Sequence, residues 1–162
     1  MSQSIIDINP VNQTIETTIS VSQSNITTQL EDLHTNYMAF HHKLVSFREH
    51  IYNLSFFELN QLLHDYCASA EYIISKLEQR LRAMGLSPHQ KTSSTIAPYN
   101  LYAIVPKKLS SNDMLQLIKQ SQRYLNNEIR NIENNAEMVN DRDTVKLTSS
   151  ILGNIGQNAW SF

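Results

Sequence analysis

Six histidines and fifteen carboxylates are the side chains here that could hold a metal or move a proton, and their spacing decides whether they do. A two-metal carboxylate site inside a helical bundle takes several inward glutamates and two Glu-x-x-His units. The sequence has one such unit, Glu31-Asp32-Leu33-His34, which reads as the solvated start of a helix rather than a ligand pair. His34 and His41 are seven residues apart and share a helix face, with His42 beside them. They read as surface or interface imidazoles, to which zinc or copper could still bind. The single cysteine, Cys67, excludes an internal disulfide and reads as a small packed side chain.

Charge narrows the classes further. Thirteen basic and fifteen acidic residues give a net charge of −2, so no overall charge marks a nucleic-acid or acidic-lipid partner. Residues 1–42 contain no Lys or Arg and carry Asp7, Glu16, Glu31 and Asp32. The start lacks a basic segment followed by a long apolar core, so no secretory signal is expected. No apolar run approaches the roughly 20 residues of a membrane span. A reduced, cytoplasmic setting is the expectation.

The elements that must position these residues follow from period and caps. Ser55 and Glu58 have the form of a capping box, and apolar residues then recur at Leu59, Leu62, Tyr66, Ala70, Ile73, Leu77, Leu81 and Met84. Gly85 suits a left-handed helix end and Pro88 forbids resumption. Upstream, Leu30, Leu33, Tyr37, Phe40, Leu44, Phe47 and Ile51 recur in strict 3-4 steps, which predicts a helix from about Ser24 to Tyr52-Asn53. The few residues between these two helices make them antiparallel neighbours. Residues 1–24, rich in Ser, Gln, Asn, Thr and Ile, read as a polar tail with a strand-like or docked piece around Thr14–Val21.

After Gly85 a long connection holds Pro88, Pro98 and Pro106, with a short helix expected near Pro98–Ala103. A third helix starts at Ser110, capped with Asp113, and carries Met114, Leu117, Ile118, Ser121, Leu125, Ile129, Ile132 and Ala136. A break at Asn140-Asp141 leads to a fourth with Val145, Leu147, Ile151, Leu152, Ile155, Ala159 and Trp160. Gly153 and Gly156 in it imply close packing or a kink. Two hairpins joined by one long crossover predict an all-α, ferritin-like four-helix bundle over residues 25–162.

Residues 27–162 resemble the Dps family, dodecameric miniferritins named for DNA protection during starvation. The resemblance rests on Lys43-Leu44, Phe56-Phe57-x-Leu59, Leu77-x-x-Arg80, Ala83-Met84-Gly85 with Pro88, and Asp141, Thr144 and Trp160. Family members oxidise ferrous iron between subunits. One subunit gives two histidines and a nearby carboxylate; the other gives an Asp and a Glu four residues apart. Iron(II) takes imidazole and carboxylate ligands with positions left open for an oxidant. Carried onto this chain, the first histidine falls on Arg48, the second on Asn60, the nearby carboxylate on His64, the Asp on Ser75 and the Glu on Gln79. An arginine cannot ligate a metal and repels one.

The resemblance therefore implies a cage subunit, a dodecamer of one chain or one mixed with a paralogue, with the oxidation centre lost. Metal sequestration or stress protection would remain, iron being the metal the family handles. Two other readings stand beside it: an active iron-oxidising protein with a His-based site, and a helical interaction protein that forms no cage. Arg48 is expected to pair with Asp65 or Glu78, from its own chain or a partner's. Glu137, Asp141 and Asp143 fall where the family lines its pores with acids, although Asp141 and Asp143 also suit a helix start. The family often binds DNA through basic tails; residues 1–42 and the two residues after Trp160 supply none, so tail-mediated DNA binding is not expected.

Overall fold

The first helix, α1, runs from Pro10 to Ile51 in the computed structural model, which describes residues 10–51, 57–88 and 109–159. Proline is at home in the first turn of a helix, where its missing N–H costs nothing. Nothing downstream of Pro10 breaks the helix, so Thr14–Val21 is helical and the strand-like piece expected there is not formed. Glu31–His34 consequently lies mid-helix rather than at a helix start. The helices α2 (Phe57–Ala83), α3 (Ser111–Met138) and α4 (Arg142–Ala159) complete the set, and no strand occurs among the described residues. Ser55, the 98–103 segment and Trp160 lie outside the described residues.

Chain reversals follow local chemistry. Gly85 sits at φ 80°, the Gly85 amide donates to the Arg82 carbonyl, and the Leu86 amide donates to the Leu81 carbonyl at 3.0 Å. That is a Schellman ending of α2, and Leu86 packs on the core as the motif requires. Asn140, at φ 57°, ends α3 the same way, with the Asp141 amide donating to the Ala136 carbonyl at 2.9 Å. Ser110 caps α3: its hydroxyl accepts from the Asp113 amide at 3.2 Å and donates to the Asp113 carboxylate at 2.7 Å.

The core is one apolar cluster fed by all four helices. From α1 it takes Ile26, Leu30, Leu33, Tyr37, Phe40, Leu44 and Phe47, the expected 3-4 stripe extended one turn. In α2 the buried stripe uses Leu63 and Cys67, whereas Leu62 and Tyr66 are half-buried. Both registers have apolar residues, and the decision falls on chemistry: a thiol buries cheaply, but a phenol needs a partner, which Tyr66 finds in Gln122. In α4 the buried positions are Thr144, Thr148 and Ile151 rather than a run of aliphatic residues. The Thr148 hydroxyl donates to the Thr144 carbonyl at 3.0 Å, which makes burial of the hydroxyl tolerable.

α1 packs chiefly against α2, α3 against α4, and α1 against α3. The Gln29–Asn135 side-chain bond (3.1 Å) fixes the antiparallel register of α1 and α3. Among the described residues, a Cβ added at Gly153 or Gly156 meets nothing within 4 Å, so neither glycine serves a close approach there. No helix among the described residues is long and apolar enough to cross a membrane.

Candidate functional site

The positions of interest lie on α1 and α2. Asn60 and Ser75 sit fifteen residues apart on α2, about 22 Å at 1.5 Å per residue, so they cannot share an ion within one chain. Arg48 and Asn60 are half-buried, while His64, Ser75 and Gln79 are exposed. His64 is 3.9 Å from Asp65, and Asp65 also accepts a bond from Gln61 at 3.1 Å. Glu78 pairs with Arg82 at 2.5 Å and with His34 at 3.4 Å. The two acids expected to meet Arg48 are thus engaged by other residues of the same chain. Arg48 instead lies close enough to Cys67 to oppose, in part, the upward push of burial on that thiol.

No three His, Cys, Asp or Glu side chains among the described residues stand together as a metal centre. The small interior cavity where all four helices meet is lined by Tyr37, Tyr66, Ser69, Gln122, Asn126 and apolar neighbours, with no carboxylate. A carboxylate-bridged metal pair has no ligands there. Burial pushes the Tyr37 phenol well above its ordinary range, so it stays protonated.

His34 and His41 both pair with α2, His41 in an exposed pair, and His42 is exposed. His34 is buried, which overturns its reading as part of a solvated helix start, and its Nε2 lies 3.4 Å from Glu78. His41 Nε2 is 3.0 Å from Glu71 Oε1. Each histidine and each glutamate is seven residues from the next, so antiparallel helices line them up as two rungs. That matching seven-residue spacing was the signal in the sequence that could have revealed the rungs.

At the α3–α4 corner, Arg80 reaches Asp141 through both carboxylate oxygens, at 2.7 and 2.9 Å. Asp141 also accepts from the Thr144 amide at 3.1 Å and the Thr144 hydroxyl at 2.6 Å, and so caps α4. Burial would raise this carboxyl, but the Thr144 hydrogen bonds and the Arg80 guanidinium outweigh it and hold the group below the usual carboxylate range. Asp143 is 75% exposed and 3.7 Å from Arg80, and Glu137 is exposed. Asp141 therefore acts as a helix cap and an anchor for α2.

The family model for the ferritin-like domain matches residues 27–162. The chain belongs to the ferritin-like family. The matched span begins inside α1 and includes every helix packed around the core. No curated protein matches the chain significantly. Nor does any solved structure. The match supports a ferritin-family protein of the iron-storage type in general.

Proposed function

We propose that the protein is a Dps-like miniferritin subunit that builds a dodecameric cage and has lost the iron-oxidising centre between subunits. The observation that carries this reading is the chemistry at the family's ligand positions. Arg48 brings a permanent cation, and Asn60, Ser75 and Gln79 are uncharged, so ferrous iron finds no anionic ligand there. Three carboxylates of α2 near those positions have other partners: Glu71 pairs with His41, Glu78 with Arg82, and Asp65 with Gln61. In this reading the cage sequesters metal or protects by enclosure in the cytoplasm, alone or mixed with an active paralogue. Glu137 and Asp143 draw cations to its pores. No tail-mediated DNA contact is part of it, because residues 1–42 lack Lys and Arg.

Light scattering tests the assembly. A cage has twelve times the 18.6 kDa of the chain. A monomer or dimer rejects the cage and favours a helical interaction protein.

A further inference from the structure

The outer face of α3 carries cations without carboxylates to match them. Between Met114 and Ala136 its exposed positions are Lys119, Arg123 and Arg130 and otherwise only glutamines and asparagines. At 3.6 residues per turn the three cations share one face, and at 1.5 Å per residue they span about 16 Å. None of them forms an ion pair among the described residues, whereas Arg80 and Arg82 both do. Lys119 and Arg123 are four residues apart, a spacing at which like charges oppose the helix. Asn127 stands where an acid would pair with Arg123. The half-buried carboxylates of α3 lie to the sides: Glu133 accepts from the Ser149 hydroxyl of α4, and Glu128 feels Asp32 of α1. Exposed Asp113 and Glu137 close the row at its two ends.

We propose that this face binds a short acidic segment of a partner protein, whose carboxylates meet Lys119, Arg123 and Arg130. Arginine pairs with a carboxylate through two parallel hydrogen bonds. The intervening amides offer both donors and acceptors, which suits them to the backbone of such a segment. An extended stretch of about five residues covers the row at roughly 3.3 Å per residue. The bounded length and the net charge of −2 favour such a segment over a nucleic acid, whose continuous phosphates would also meet Asp113 and Glu137. No large apolar side chain is exposed between Met114 and Ala136 to seat in a lipid surface. The surface needs neither a cage nor iron oxidation, so it stands apart from the function proposed above.

Fluorescence anisotropy of labelled hexaglutamate, titrated with the full chain at low and at physiological salt, tests it. Binding at low salt that weakens as salt rises is expected. Lys119→Gln, Arg123→Gln and Arg130→Gln each weaken it about threefold or more. Arg142→Gln, which removes an exposed cation outside the row, leaves it within twofold. Circular dichroism shows that these exposed-site variants keep their helices. No binding of hexaglutamate at low salt, parental binding by Arg123→Gln and Arg130→Gln, or an equal loss in Arg142→Gln overturns the proposal. Tighter binding of a short DNA duplex than of the peptide also overturns it.

Discussion

Arg80 and Asp141 meet through a two-pronged ion pair, 61 residues apart in sequence, that ties the end of α2 to the start of α4. Both side chains are over four-fifths buried, and the Arg80 Nε donates its remaining bond to the Thr144 hydroxyl at 3.0 Å. Thr144 in turn donates to Asp141, so the three residues close a ring, with Arg80 Nη1 lying 3.7 Å from Asp143. Such a ring is stable when whole and costly when one member is removed.

Asp141→Ala should lower stability by about 2–3 kcal/mol, since it removes a helix cap and leaves a guanidinium without its charge partner. The pH dependence has a definite sign. The folded carboxyl sits below its ordinary value, so its contribution is fully present above about pH 4 and fades as pH falls through the folded value. Urea unfolding at pH 6 and pH 3 should show the parent losing more stability than Asp141→Asn over that interval.

Lys43 presents the opposite case. Its Nζ and the Ser121 hydroxyl are buried without a hydrogen-bond partner among the described residues. Burial lowers the Lys43 amine below its ordinary value, so the unfolded chain holds the proton more tightly than the folded one. Stability then rises with pH between the folded and unfolded values. Lys43→Met should raise stability at pH 7 by about 1 kcal/mol or more and flatten that rise, as measured by urea unfolding from pH 7 to pH 10.

Gly153→Ala tests whether the glycine in α4 has a packing role. With nothing within 4 Å of it among the described residues, alanine should add about 0.5–1 kcal/mol of helix stability and raise the midpoint of thermal unfolding. A loss would place a neighbouring subunit against that position.

Period and caps made most of this fold legible. The 3-4 stripe of α1 matches its buried face, and Ser110 caps α3 as its spacing with Asp113 implied. What escaped had physical reasons. A stretch of Ser, Thr, Gln and Asn has weak helix preference and reads as a tail, yet nothing after Pro10 stops α1 from extending through it. At Leu62-Leu63 and Tyr66-Cys67 two apolar neighbours made the α2 face ambiguous, and burial of threonines in α4 depends on bonds to backbone carbonyls that hydropathy does not register. The His–Glu rungs needed the register of two helices at once.

Arg48→His probes the proposed loss of oxidation chemistry. The single change restores an imidazole but leaves Ser75 and Gln79 uncharged, so no iron oxidation should appear; turnover in that variant would place the ligands elsewhere.

The most direct measurement is aerobic Fe(II) oxidation by the purified parent protein against a buffer blank. The proposed loss of the centre predicts the rate of the blank, since a guanidinium at Arg48 and uncharged side chains at Asn60, Ser75 and Gln79 offer ferrous iron no anionic ligand. Turnover well above the blank would contradict the loss of the centre.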